Sequence, residues 1–184
     1  QRELLEIGNV LKTSRSLLDY IRTNKPVETS LDEIFSRLPT NRALEDRITR
    51  SILSEDMIAD EASPALAEIR RGYKQSHWMW YIFPQLKGLG RSSTAQYYGL
   101  DGLEEARRFA ADPVLGGNLR TITQALLDQP KRNAHAVFGG TDAMKLRSCM
   151  TLFELADPDC GLYARVLEEF FQGRRDHQTL KMLK

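Results

Sequence analysis

The stretch Ile69–Leu100, IRRGYKQSHWMWYIFPQLKGLGRSSTAQYYGL, decides how the rest of this chain is read. It contains no Asp or Glu and holds both tryptophans, Trp78 and Trp80, although the whole chain has a formal net charge of only +1. From His77 to Phe83 the run is apolar on both faces whether a period of 2 or of 3.6 is applied, which implies burial on every side. Pro84 stops it, because proline lacks the backbone donor that a continuing element needs. The run itself stays open between helix and strand, so the fold class must come from its flanks.

Upstream, Ser63-Pro64 places a cap residue before a proline at the first helical position, with Ala65, Leu66, Ile69 and Tyr73 as the apolar stripe behind it. Downstream, Gly88-Leu89-Gly90 makes a turn, and a hydroxyl of Arg91-Ser92-Ser93-Thr94 can cap the next helix. Asp101-Gly102-Leu103-Glu104 reads as an acidic capping box for a helix ending near Asp112, where Pro113 begins another. From Thr141, a further cap candidate, Leu146, Cys149, Met150 and Phe153 keep the stripe of a core-facing helix. Gly161 to Phe171 is helical again, Gly173 suits its C-terminal cap, and Asp176 can start a short last turn.

Before the central stretch, Leu4, Leu5, Ile7, Val10, Leu11, Leu17, Leu18 and Ile21 stand at helical spacing, Ser30 to Glu33 matches a capping box, and a helix is expected over about Asn41 to Leu53. No alternating run or hairpin signal is convincing. The expected class is therefore all-α or mainly α, with a single compact helical domain over residues 51–184 and a helical N-terminal extension over residues 1–50.

Hydrophobic content of 41 % with 28 % charged residues is ordinary for a soluble globular chain. The small net charge gives little general attraction to nucleic acid or an anionic membrane. Cys149 and Cys160 show no framework spacing, so a reducing, cytoplasmic setting is expected. No apolar run reaches the roughly 18 residues of a membrane span, and QRELLEIG is not a secretory segment. The chain opens on Gln1 rather than Met, which fits a piece of a longer product.

The string Gly72-Tyr73-Lys74-Gln75-Ser76-His77-Trp78-Met79-Trp80-Tyr81-Ile82-Phe83-Pro84-Gln85, followed by Gly88-Leu89-Gly90-Arg91-Ser92, resembles the signature of the DUF1810 family, also called Rv1873-like. Later pieces are similar too: Glu104-Glu105-Ala106, Asp112-Pro113-Val114-Leu115-Gly116, and the run from Asp142 to Phe153. Cys149 stands where Ser is usual in that pattern and His177 where Pro is common. The resemblance covers roughly Ser51 to the C-terminus and implies a compact, mainly helical domain. It implies no established activity and transfers no catalytic residue.

The chemistry suggested by the residues themselves is anion binding. Guanidinium and ammonium groups pair with phosphate while rings stack on a base, and Ile69–Leu100 supplies both. The candidate ligand-binding residues are Lys74, His77, Trp80, Gln85, Arg91 and Ser92, joined by Lys145, Arg147, Ser148 and Thr151 from one edge of the helix after Thr141. His77 is the candidate acid or base near neutral pH, or else a donor to phosphate, against the plainer reading of a satisfied core histidine. Of Trp78 and Trp80, one is expected in the core. For Arg147 and Lys145, use in structural ion pairs is the favoured expectation over ligand binding.

A Cys149–His77 thiolate pair is disfavoured because Cys149 lies on a core stripe, and the three separated histidines offer no metal site. No cofactor is called for. The leading expectation is a pocket for a small phosphorylated ligand of nucleotide or ADP-ribose type, where any turnover would be hydrolytic or transfer chemistry. The alternatives are a non-catalytic interaction module that self-associates or docks through residues 1–50, and, third and disfavoured, single-stranded nucleic-acid binding.

Overall fold

Ser63 and Pro64 start the first helix as their residue types dictate. The computed structural model describes residues 63–184; the helices expected within residues 1–53, the boundary near residue 50 and self-association through residues 1–50 lie outside the described residues. In helix α1 (Pro64–Arg71) the Ser63 hydroxyl accepts from the Leu66 amide, and Pro64 sits where an N–H would have no helical partner. Ala65, Leu66 and Ile69 are buried, but the stripe stops there. Gly72, left-handed at φ 72°, ends the helix before Tyr73, which stands 58 % exposed.

The ambiguous apolar run becomes one helical turn, α2 (Met79–Ile82). Four residues are too few to sustain a helical face, so neighbouring elements decide which side chains are covered. Trp78, Met79, Ile82 and Phe83 are almost wholly buried, whereas Trp80 and Tyr81 are only partly so.

The Ser92 hydroxyl then accepts from the Ala95 amide at 3.1 Å and caps α3 (Ser93–Tyr98). Leu86 and Leu100 form an isolated parallel bridge around this helix, with Lys87 N–H donating to Leu100 O and Leu100 N–H to Gln85 O, both at 2.9 Å. Glycine is required at position 99, since a Cβ there would lie 2.6 Å from the Lys87 Cα.

Helix α4 (Leu103–Ala111) departs from the expected capping box. Gly102, at φ 147°, is the cap residue and offers no side chain, so the third helical position falls on Glu105 rather than Glu104. The Glu105 carboxylate reaches back to accept from the Asp101 amide at 2.6 Å. Helix α5 (Leu115–Leu127) begins two residues after Pro113, with the Asp112 carboxylate accepting from the Val114 and Leu115 amides at 3.0 Å.

The long helix α6 (Ala134–Ala156) starts earlier than the expected Thr141. Asn133 caps it by accepting from Ala136 N–H, and Gly139, at φ 72° and ψ 178°, breaks it into two arms. The first arm places Phe138 against the rings of Trp78 and Phe83 at centroid distances of 6.3 and 6.1 Å. A 3-10 turn, Pro158–Cys160, leads into α7 (Leu162–Phe171). That helix is closed by Gln172, left-handed at φ 58°, with Gly173 following as its second positive-φ residue. Asp176 caps the last helix, α8 (His177–Met182), by accepting from Thr179 N–H at 2.9 Å.

Helix α6 is the centre against which α4, α7 and α8 pack, while α5 packs on α1, α4 and α7. Its predicted stripe is the core: Leu146, Cys149, Met150 and Phe153 have no exposed surface. The described residues form eight α-helices and no β-strand, so the all-α expectation holds. None of these helices is long and apolar enough to cross a membrane.

Candidate functional site

Gly72 turns the chain out of α1 into the loop before α2, and a buried carboxylate shapes that loop. Glu68, on the last full turn of α1 and 6 % exposed, accepts from the amides of Gln75 (2.7 Å) and Ser76 (3.0 Å), from the Ser76 hydroxyl, and from the indole Nε1–H of Trp78 (2.9 Å). Burial pushes its carboxyl up, but these hydrogen bonds, the Ser76 hydroxyl foremost, outweigh burial and hold it below the usual range. Glu68 therefore fixes the loop and the core tryptophan together.

The same loop presents Lys74. Its N–H donates to Val137 O at 2.8 Å, before the break at Gly139, and its ammonium donates to Ser76 O at 2.6 Å. That ammonium also meets Asp142 Oδ2 at 2.7 Å, just past the break, and lies 4.9 Å from the Trp78 ring centroid. The second carboxylate oxygen of Asp142 accepts from Lys145 at 2.8 Å, and the Lys145 ammonium stands 4.3 Å over the ring of Trp80. Burial raises the Asp142 carboxyl, but the bonds from Lys145 and Lys74 reverse the shift and keep it ionised below the ordinary range.

Lys74, Trp80 and Lys145 thus meet around Asp142, brought from three separate elements. His77 is exposed in the same loop, next to Ser76, and is not a core histidine. Trp78 is the core tryptophan, wholly buried, while Trp80 keeps part of its surface.

The remaining candidates make other contacts. The Arg147 guanidinium pairs with Asp176 at 3.6 Å, and the Thr151 hydroxyl donates to Arg147 O while accepting from Asp176 N–H, both at 2.8 Å. These bonds dock α8 onto α6. The Ser148 hydroxyl donates to Met144 O at 3.1 Å, which satisfies it within its own helix. Gln85 is buried beside the Leu86–Leu100 bridge, Ser92 is occupied as a cap, and Arg91 is exposed next to it. Cys149 is wholly buried, and burial pushes its thiol well above the ordinary range, the setting of a core thiol.

Sequence reasoning missed the two acids. Glu68 lies one residue before the acid-free stretch and Asp142 far beyond it, yet signals existed: that many cations need counter-charges, and Asp142 precedes Lys145 at the i, i+3 spacing of helical ion pairs. A separate cleft of about 290 Å³ is lined by Leu86, Lys87, Gln96, Asp101, Met182 and Leu183, among others, and includes none of the Asp142 cluster.

The sequence profile of the family described as "Protein of unknown function (DUF1810)" matches residues 54–183. The chain belongs to the DUF1810 family. The fold is similar to a solved structure, the conserved hypothetical protein Rv1873 from Mycobacterium tuberculosis, with a TM-score of 0.67 at 34 % identity, over 73 % of this chain and 94 % of that one. Stretches of the chain are also similar to proteins named endonuclease MutS2. One from Acetivibrio thermocellus is 43 % identical over 100 residues, 52 % of this chain, and one from Ruminiclostridium cellulolyticum is 40 % identical over 98 residues, again 52 % of this chain. The match spans only 12 % of the length of each of those two relatives.

Proposed function

We propose that this DUF1810 protein binds a small phosphorylated ligand of nucleotide or ADP-ribose type at the Asp142 cluster. The observation that carries the reading is the placement of Lys145 between the Asp142 carboxylate and the partly exposed Trp80 ring, with Lys74 fixed on the same carboxylate. Two ammonium groups share that carboxylate, and Lys145 is the more exposed of the two. A partly exposed indole beside it offers a face for a base. In this reading Lys145 meets the phosphate, Trp80 stacks the ring, and exposed His77 is the candidate for donating to phosphate or moving a proton. Arg91, Ser92, Gln85, Arg147, Ser148 and Thr151 would contribute at most to the margins, since the bonds above already engage most of them.

A calorimetric titration with a panel of nucleotides, NAD and ADP-ribose tests this, with saturable heat expected from at least one of them and a matching rise in melting temperature. No heat and no thermal shift across the panel would end it. The printed name of the partial relatives, endonuclease MutS2, raises a second reading, nucleic-acid binding. A fluorescence titration with oligonucleotides that shows affinity falling steeply with salt would support that reading, and no binding at low salt would dispose of it.

A further inference from the structure

The two lysines on Asp142 are not equivalent. Lys74 comes from a distant loop, its side chain is only 7 % exposed, and its ammonium has three partners: Asp142 Oδ2, Ser76 O and the face of Trp78. Its backbone is tied as well, through Val137 O. Lys145 has a side chain 18 % exposed and two partners, Asp142 Oδ1 and the Trp80 ring. Its ion pair is an i, i+3 contact on one helix, a class that is individually weak. If Lys145 left, Asp142 would still have Lys74, so no buried charge would be stranded.

Lys145 covers one face of Trp80, and a flat ligand stacking on that face needs it moved. An ammonium 4.3 Å above the Trp80 centroid occupies the stacking position on that face, so no base can enter while it stays. The same ammonium has fewer partners than that of Lys74. Four methylene groups allow it to swing without moving α6.

We propose that Lys145 is a latch over Trp80: it holds the ring face closed without ligand and swings onto the phosphate when one binds. This rests on the proposed ligand site and adds how that site is regulated. Phosphate is then required for ring recognition, because only an anion draws the ammonium off the indole. A nucleoside without phosphate would have to displace Lys145 with nothing offered in return.

The experiment compares wild type, Lys145→Ala and Lys145→Arg, each checked by melting temperature, with adenosine and ADP-ribose as ligands and acrylamide quenching of tryptophan emission as a ligand-free readout. Trp80→Phe assigns the quenchable signal, since Trp78 is wholly buried. The latch predicts that Lys145→Ala raises acrylamide access to Trp80. It predicts adenosine binding tighter by about two- to fivefold, the worth of one exposed cation–π contact. ADP-ribose should weaken by about tenfold or more with the loss of a charge-assisted phosphate bond. Lys145→Arg, which keeps both cover and charge, should resemble wild type.

Unchanged quenching, or adenosine binding that fails to tighten while wild type binds ADP-ribose, overturns the latch and leaves the ligand site standing. Raised quenching with no binding of either ligand by any of the three proteins overturns the ligand site and the latch on it, and leaves Lys145 only as a cover of Trp80.

Discussion

Trp78 and Trp80 are two residues apart and live in different environments. Trp78 is wholly buried, tilted against Phe83 and edge-to-face with Phe138, and anchored through its indole N–H to buried Glu68. Trp80 keeps part of its surface and meets Lys145 across its face. Each indole has a lysine over it and a carboxylate within reach of that arrangement, yet one set builds the core and the other faces outward. The difference lies in how the charge is held. Glu68 is saturated by neutral donors from one loop, whereas Asp142 is shared by two cations from different elements. The first arrangement fixes geometry; the second leaves one cation free to exchange partners.

The comparison breaks most visibly at the tryptophans. Trp78→Ala should lose about 3–5 kcal/mol of unfolding free energy in urea, because it empties a core position, while Trp80→Ala should lose far less. Equal losses would mean that the two rings are equally structural.

Glu68→Gln comes next. Its amide would turn a donor group toward the Gln75 and Ser76 amides, and a loss of about 1.5–3 kcal/mol is expected from the charged hydrogen bonds removed. The substitution also sharpens the pH behaviour. Both Glu68 and Asp142 have carboxyls held below their ordinary values of 4.5 and 3.8, so each contributes stability that is present above those values and lost as pH falls through the lower folded ones. Stability followed from pH 6 to pH 2 should fall most below about pH 4.5 in wild type and more gently in Glu68→Gln. A wild-type curve flat across that range would contradict the account.

The smallest effects distinguish the lysines. Lys74→Met should cost about 1–3 kcal/mol, since it removes a charge-assisted bond between a nearly buried ammonium and the partly buried Asp142 carboxylate. Lys145→Ala should cost less than Lys74→Met, about 1 kcal/mol, from one part-buried i, i+3 ion pair and one cation–π contact. Reversed magnitudes in chemical denaturation would make Lys145 the fixed cation and remove the asymmetry on which the latch depends.

Much of the helical framework was legible in the sequence because caps and stripes act locally. Ser63 and Asp176 cap the helices they were expected to cap, Ser92 supplies the hydroxyl cap expected somewhere in Ser92–Thr94, and the stripe of α6 lies in the core. The local failures have local causes. Gly102 carries no side chain, so the acidic box slipped by one residue, and the Gly139 break hid an extra arm of α6 that ends in Phe138. Of the candidate site, the sequence supplied the cations and rings but not their partners. Lys74 and Asp142 are brought together by packing between a loop and a helix far apart in the chain, which no spacing rule describes.

The sequence by itself determined a helical DUF1810 domain with a charge anomaly at its centre, because periodicity, capping chemistry and a tryptophan-bearing signature are properties of contiguous residues. Only the tertiary structure decided which tryptophan is core and which lysine is fixed. It also decided that two cations of the acid-free stretch, Lys74 and Lys87, are paired from outside it, by Asp142 and Asp101. The physical reason is that burial and Coulomb pairing depend on distance in space, and the chain sets that distance only once it has folded.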